Sequence, residues 1–300
     1  MFQHAQVLYE PGQRHAVRLG QLGHGEVALP ERLEHVAARR VRQGGEHAVE
    51  DRVLILNHKV KYPPDSRAVS RCAPMAARRR YARREDLGLT KAEFAVLRRL
   101  DTPRKIQAFL YDLRQNFEPH GDTCNSVREV LRTRRAHCIE GAMLAAAALW
   151  VHGEPPLLLD MRAVRDFDHV VALFRRGGRW GAISKTNGFA LRWRDPVYRS
   201  LRELAMSYLH EYSNRREHKT LREFSRPFDL RAMRPAEWVT APKGAWAVAE
   251  RLDTLPHSRL LSWREQRALV RRDPFERRIG ALLQYRRPAV PERTTGRLKK

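Results

Sequence analysis

An alanine-rich, almost wholly apolar stretch from Cys138 to Val151 constrains the fold more than any other feature of the chain. Alanine and leucine are strong helix formers, and Gly153 followed by Pro155-Pro156 is a typical helix stop. We therefore predict a helix from Cys138 to Val151. Because its side chains are apolar on nearly every side, this helix should lie inside a domain.

Three strand-like runs follow this helix. Leu157–Met161 and His169–Phe174 are apolar, and Arg179–Ser184 comes directly after the turn signal Gly177-Gly178. Short antiparallel strands that follow a buried helix are typical of the α+β class. We therefore predict an α+β domain in which a buried helix packs on a small antiparallel sheet, with further helices on its flanks.

Helix start signals occur on the N-terminal side of this core. Thr90-Lys-Ala-Glu93 and Ser126-Val-Arg-Glu129 have the capping-box pattern, and Thr102-Pro103 combines an N-cap with a first-turn proline. On the C-terminal side, an amphipathic pattern predicts a helix across Tyr198–Tyr212, and the residues from about Lys243 to Gln284 have a helical, basic pattern.

The two ends of the chain differ from its middle. Residues 1–74 have no sustained helical or strand periodicity, so they bury too little apolar surface to offset their conformational entropy. We predict that they are disordered or are a mis-assigned upstream extension, with Met75 as the true start. We assign residues 75–284 to one domain and residues 285–300 to a basic tail.

Composition excludes several classes of protein. No apolar run approaches the roughly 20 residues that a membrane-spanning helix needs, and the N-terminus lacks the pattern of a secretory signal. Cys72, Cys124 and Cys138 are too sparse for a disulfide framework but leave room for a reactive thiol. We therefore expect a cytoplasmic protein with no membrane partner.

The formal net charge of +24 attracts polyanions, and nucleic acid above all. Arginines make up most of the 58 basic residues and are spread along the chain rather than gathered in one patch. Any binding of nucleic acid should therefore be non-specific.

Cys138 and His169 are the candidate catalytic pair. Cys138 opens the predicted helix, where the helix dipole and the free N–H groups favour a thiolate. His169 opens the second predicted strand, and histidine is the usual proton-transfer partner of a thiolate near neutral pH. A helix packed on the sheet can bring the two side chains together.

Three segments resemble the core of the transglutaminase-like superfamily, whose fold is related to papain: His137-Cys138 with the residues after it, Asp168-His169-Val-Val-Ala-Leu-Phe, and Gly178-Arg179-Trp180-Gly-Ala-Ile-Ser184. The similarity covers roughly residues 101–187. In that superfamily a cysteine begins the central helix, a histidine lies on the following strand and an acidic residue ends the next strand. The resemblance therefore implies that Cys138 and His169 are catalytic.

The third catalytic position implied by the resemblance falls on Ser184, which is neutral. A serine hydroxyl cannot stabilise an imidazolium by charge, but it can hydrogen-bond to the ring and fix its tautomer. Asp168, Asn187 and Asp160 are possible substitutes, and the sequence does not choose among them. Because Ser184 replaces an acidic residue, the sequence is also consistent with a catalytically inactive domain of the same fold.

An oxyanion hole would use the backbone N–H of Cys138, and Asn125 or Ser126 is a candidate for the side-chain donor. Cys124, His137, Cys138 and His152 lack the spacing of a metal site, and no phosphate-binding glycine motif is present. We therefore predict neither a metal nor a cofactor.

Two functions are consistent with the sequence. The first is a cysteine-dependent hydrolase or acyl-transferase that acts on peptide or isopeptide amide bonds of a peptide or protein substrate through an acyl-thioester. The second is a catalytically inactive, basic binding module that docks acidic partners or nucleic acid. The oligomeric state is left open.

Overall fold

The structure, a computed structural model, describes residues 81–119 and 121–287. The predictions for residues 1–74 and for most of the basic tail lie outside the described residues. The described chain combines helices with an antiparallel sheet, so the α+β class is confirmed.

In the described chain, five helices and one short strand pair precede the main sheet. The helices are α1 (Arg84–Leu87), α2 (Lys91–Arg99), α3 (Pro103–Asp112), α4 (Val127–Thr133) and α5 (Cys138–Val151). Strands β1 (Arg114–Gln115) and β2 (Arg135–Ala136) pair in parallel, with Gln115 opposite Ala136. This pairing holds the segment after α3 beside the start of α5.

The two predicted capping boxes have different outcomes. At α2, Thr90 Oγ1 accepts from the Glu93 N–H at 3.2 Å, and the Glu93 carboxylate accepts from the Thr90 N–H at 2.7 Å. At α4, Ser126 is the N-cap residue but makes no side-chain cap hydrogen bond. Glu129 pairs with Arg132 instead, at 2.5 Å, so the prediction of a second capping box was wrong.

The described chain forms a main sheet of seven strands: β3 (Leu157–Ala163), β4 (His169–Arg176), β5 (Arg179–Ile183), β6 (Arg194–Tyr198), β7 (Leu221–Ser225), β8 (Phe228–Asp229) and β9 (His257–Arg259). The order is β6-β5-β4-β3-β7-β9, and β8 also pairs with β3. All of these pairs are antiparallel. The three strands predicted from the sequence correspond to β3, β4 and β5.

Short helices alternate with these later strands. They are α6 (Leu201–Met206), α7 (Trp246–Thr254), α8 (Trp263–Ala268) and α9 (Pro274–Gly280), with 3-10 turns at Leu230–Ala232 and Pro235–Glu237. None of the helices in the described ranges is both long and apolar enough to cross a bilayer.

The helix predicted across Tyr198–Tyr212 was too long. Tyr198 belongs to β6, and α6 ends at Met206. Beyond it the N–H of Tyr208 donates to the Ala205 carbonyl, as in a tight turn rather than an α-helix. Successive turns bury a side chain every three or four residues, so their sequence pattern mimics that of a helix.

The main sheet separates two apolar layers. Along β4, Val170, Ala172 and Phe174 belong to the layer that contains α5, whereas Val171 and Leu173 belong to the layer that contains α6. This alternation follows from the two-residue period of a strand. The first layer also includes the other N-terminal helices and α7.

Helix α5 begins and ends at the residues that the sequence predicted, and every residue from Ile139 to Trp150 is buried. Gly141 allows a close approach in its first turn, because a Cβ there would lie 2.5 Å from the Cβ of Lys185. The absence of a side chain at Gly141 therefore lets the chain that follows β5 press against the N-terminal end of α5.

A buried ion pair joins the central strand β3 to the edge strand β9. His257 Nε2 lies 3.0 Å from Asp160 Oδ2, and His257 Nδ1 lies 2.8 Å from the Leu255 carbonyl oxygen. Both ring nitrogens face acceptors, which suits the doubly protonated ring. Burial lowers the pKa of His257, but the hydrogen bonds to Asp160 and Leu255 outweigh burial and raise this pKa above its ordinary value.

We expect this pair to make stability depend on pH. Because the pKa of His257 is higher in the folded than in the unfolded state, its contribution is complete below an unfolded pKa of about 6.5 and is lost as the pH rises through the folded pKa. His257→Gln should therefore lower the free energy of unfolding more at about pH 5.5 than at about pH 9. Urea unfolding measures both values, with exposed His210→Gln as the control. Equal losses at the two pH values would contradict the assignment.

Candidate active site

Cys138 is the first residue of α5, and its side chain lines a cavity of about 340 Å³, here called the thiol cavity. Cys138 is partly exposed, whereas Cys124 is only 2% exposed. The free N–H groups and the dipole at the start of a helix favour a negative charge. Cys138 is therefore both reachable from the cavity and well placed to ionise.

His169 is the first residue of β4 and lines the thiol cavity together with Cys138. Its Nε2 lies 2.8 Å from Oγ of Ser184, the residue after β5. The Ser184 hydroxyl donates its one proton to the Leu191 carbonyl oxygen, so it must accept from an Nε2–H of His169. This arrangement fixes the tautomer, and Nδ1 is then the unprotonated nitrogen of the neutral ring.

The local environment lowers the pKa of the Cys138 thiol to about 5. Burial raises this pKa, but hydrogen bonds from His137 and His169, together with the charges of both rings, outweigh burial. At neutral pH the group is therefore a thiolate, which is the nucleophilic form of cysteine.

His137 is a second imidazole beside the thiol. It is the N-cap residue of α5 and lines the thiol cavity. Its Nε2 faces three acceptors: the Thr123 carbonyl at 3.0 Å, Glu140 at 3.3 Å and Glu118 at 3.5 Å. Burial lowers the pKa of His137, but hydrogen bonds with Cys138 and Glu140 outweigh burial and raise this pKa well above its ordinary value. The sequence predicted only a general positive potential from this residue.

Glu140 is fully buried in the first turn of α5 and organises the wall behind the thiol. Its carboxylate accepts from the backbone N–H groups of His137 and Asn125, at 2.9 and 2.8 Å, and from the side chains of Asn116 and Thr123, at 3.1 and 3.0 Å. Burial raises the pKa of Glu140, but its hydrogen bond with His137 and the charge of that ring outweigh burial and lower it. One buried carboxylate thus holds the loop before α4 against His137.

Ser184 is the candidate third residue that contacts His169. Within the described chain, none of the three alternatives hydrogen-bonds to the ring. Asp168 accepts from a backbone N–H at 2.8 Å, and the Asn187 amide binds the backbone of the C-terminal segment. Asp160 is engaged in the ion pair between β3 and β9. The neutral residue is therefore the one that orients the imidazole.

Asn125 lies away from the thiol cavity, with its N–H on Glu140, and lines a different cavity. Gln115 lines the thiol cavity instead. Gln115 Nε2 donates to the Asn116 carbonyl at 3.1 Å, and its Oε1 is buried without a hydrogen-bond partner among the described residues. Such an amide is a candidate polar contact for a substrate. No sequence pattern pointed to Gln115, because the β1–β2 pairing brings it here.

Lys185 adds a buried cation to the wall of the thiol cavity. It is 1% exposed, and its Nζ donates to the Leu113 carbonyl oxygen at 2.5 Å. Burial is the main cause that lowers the pKa of Lys185, to about 8, and the charge of Arg192 adds to it. In the described ranges no group of three or more His, Cys, Asp or Glu side chains is placed to hold a metal ion.

The comparisons with protein families and curated proteins add nothing about the chemistry of this site, which is therefore inferred from its geometry. No protein-family model matches the chain, and no curated protein matches it either.

Proposed function

We propose that this chain is a cysteine-dependent hydrolase or acyl-transferase, built on a papain-related, transglutaminase-like core, that acts on amide bonds of a peptide or protein. The observation that carries the proposal is the placement of Cys138 and His169 in one cavity, with the His169 ring hydrogen-bonded to Ser184. These residues come from the start of a buried helix, the start of one strand and the end of the neighbouring strand. The same order along the chain is what the resemblance implies.

In the first half of the reaction, the Cys138 thiolate attacks the carbonyl carbon of the amide, and a C–S bond forms. The tetrahedral intermediate then collapses, the C–N bond breaks, and protonated His169 gives its Nδ1 proton to the leaving amine. The products are a free amine and an acyl-thioester on Cys138.

In the second half, neutral His169 removes a proton from a water molecule, which attacks the thioester carbonyl. The C–S bond breaks, a carboxylic acid leaves, and the thiolate is restored beside the protonated ring. An amine in place of water would give transamidation by the same steps. We favour hydrolysis because water can reach the partly exposed thiol without a dedicated acceptor site.

The oxyanion of the tetrahedral intermediate needs donors close to Cys138. Cys138 is the first residue of α5, so its own N–H has no acceptor within the helix. The amide of Gln115 is the second donor in this proposal, because it lines the same cavity and its Nε2 carries a second N–H besides the one donated to the Asn116 carbonyl oxygen. Because a thiolate enzyme suits a reducing compartment, we place the protein in the cytoplasm.

The second candidate function is a catalytically inactive binding module. The neutral, fully buried Ser184 favours it, because a serine cannot balance the charge of an imidazolium. Such a module would retain the fold but would not form an acyl-thioester.

The proposal is tested by titrating the thiol of Cys138. In a Cys72→Ser background, the ultraviolet absorbance of the thiolate should rise with a midpoint near pH 5, as the lowered pKa requires. His169→Ala and His137→Ala should each raise the midpoint by about one unit or more, because each removes a hydrogen bond to the thiolate.

Two controls make the titration specific. Cys138→Ala should remove the transition, and the buried Cys124 should not contribute, because burial raises its pKa far above the working range. A thiol that stays protonated through neutral pH would overturn the proposed nucleophile. A low midpoint without any acyl-thioester in mass spectra of protein mixed with peptide esters would favour the binding module.

A further inference from the structure

A second cavity, of about 780 Å³, lies beside the thiol cavity. Its wall contains six cationic side chains, which define the cationic groove: Arg162, Arg165, Lys219, Arg222, Arg259 and Arg271. Glu223 is the single acidic residue among those that line it. Six cations and one carboxylate thus line one cavity of the described structure.

The cations of the groove have few acidic partners. Of the six cations, Arg162 alone approaches a carboxylate of the described residues, with its Nε 3.9 Å from Asp160 Oδ2. The other five cations form no ion pair within the described ranges. Uncompensated cations that share one concave wall create a positive potential that attracts an anionic ligand.

The cationic groove and the thiol cavity are lined in part by neighbouring residues of the chain. In three places consecutive residues line the two cavities: Arg165 and Asp166, Asn214 and Ser213, and Arg271 and Arg272. The two cavities therefore adjoin at these places.

We propose that the cationic groove binds an acidic segment of the polypeptide substrate, next to the amide bond that Cys138 attacks. This inference rests on the proposed function. The proposed substrates are proteins with clustered Asp or Glu residues beside the scissile bond. Arg222 and Arg259 lie on the neighbouring strands β7 and β9, and β9 is the edge strand of the sheet.

An acidic polypeptide fits the groove better than a nucleic acid does. Trp263 is the single aromatic residue among those that line it, and the guanidinium of Arg267 already lies 3.8 Å from the centre of its ring. Proteins that bind single strands without sequence preference usually stack several bases on open aromatic faces. Residues 288–300 of the chain itself are basic, so they are unsuited to fill the groove.

Binding is measured on full-length Cys138→Ala protein, which cannot turn over substrate. A fluorescein-labelled Glu-rich peptide should bind at least about ten-fold more tightly than the same peptide with Gln at every Glu, and added salt should weaken the binding. A single-stranded oligonucleotide of equal charge serves as the competitor. Equal affinity for the Glu and Gln peptides, or tighter binding of the oligonucleotide, would overturn the proposal.

The matched variants are two pairs of exposed arginines. Arg259→Gln with Arg271→Gln should weaken binding of the Glu-rich peptide about ten-fold, because each removes one uncompensated cation from the groove. Arg98→Gln with Arg99→Gln removes the same charge from α2 and should leave the affinity unchanged. Equal losses for the two pairs would mean that net charge, and not the groove, attracts the peptide.

An activity assay separates this inference from the proposed function. For a fluorogenic peptide amide that carries Glu residues, the groove variant should raise KM and leave kcat unchanged, because the two arginines do not touch the reacting atoms. Peptide binding without any cleavage would contradict the proposed enzyme activity but would support the binding of an acidic ligand in the groove. Cleavage with no preference for Glu over Gln would reject the groove inference and retain the enzyme.

Discussion

Glu140→Ala is expected to lower the free energy of unfolding by about 3–5 kcal/mol. The carboxylate is fully buried and accepts hydrogen bonds from Asn116, Thr123, Asn125 and the backbone of His137. Its removal leaves these donors unsatisfied and leaves the partly buried ring of His137 without its closest carboxylate. Urea unfolding at neutral pH measures the loss.

The matched control for this variant is Glu237→Ala. Glu237 pairs at 3.3 Å with Arg234, whose side chain is 82% exposed, so its loss should cost less than about 1 kcal/mol. Glu140→Ala should also raise the pH midpoint of the Cys138 thiol, because a less basic His137 stabilises the thiolate less. A stability within about 1 kcal/mol of the wild type would show that the loop before α4 does not depend on this carboxylate.

The pH dependence of stability in the acidic range gives a second test of the role of Glu140. The pKa of Glu140 is lower in the folded than in the unfolded state, so its stabilising contribution is present above an unfolded pKa of about 4.3 and is lost as the pH falls through the folded pKa. Acid unfolding of the wild type and of Glu140→Ala should therefore converge at low pH.

Elements with strong local signals could be predicted from the sequence. Helix α5 has good helix formers, a Gly-Pro stop and no interruption, so its bounds follow from the chain alone. Strands β4 and β5 join through the Gly177-Gly178 turn, which fixes their register locally. Prediction was reliable where neighbours in the sequence decide the structure.

The later strands were missed for a different reason. β6 contains Pro196, which argues against a strand in general but is tolerated here because β6 is at the edge of the sheet. β8 and β9 are two and three residues long, too short to show any periodicity. Their strand character comes from partners that lie far away in sequence.

The same distinction applies to the candidate site. Cys138, His169 and Ser184 lie at the ends of predictable elements, so their order could be inferred. The hydrogen bonds that surround Glu140 come from a loop with no regular pattern. Gln115 reaches the thiol cavity through a parallel pair of two-residue strands. Contacts of this kind depend on tertiary packing and produce no recognisable pattern in the local sequence.

His169→Ala is expected to reduce acyl transfer at least about 10³-fold, and Ser184→Ala about ten-fold. The first change removes the group that protonates the leaving amine and deprotonates water. The second removes only a neutral hydrogen bond that holds the His169 ring in one tautomer. The measurement is kcat on the best substrate from a library of fluorogenic peptide amides, read over a pH range that includes the thiol midpoint near 5.

Ser225→Ala is the matched control for Ser184→Ala, since both serines are fully buried. Ser225 accepts from the backbone N–H of Asp160 at 3.0 Å, so its loss should cost stability without changing the thiol midpoint or kcat. His137→Ala separates the two imidazoles: if His169 transfers the protons, His137→Ala should raise the thiol midpoint but retain more activity than His169→Ala. The reverse order would assign proton transfer to His137, with Glu140 as its orienting carboxylate, and would remove His169 and Ser184 from the mechanism.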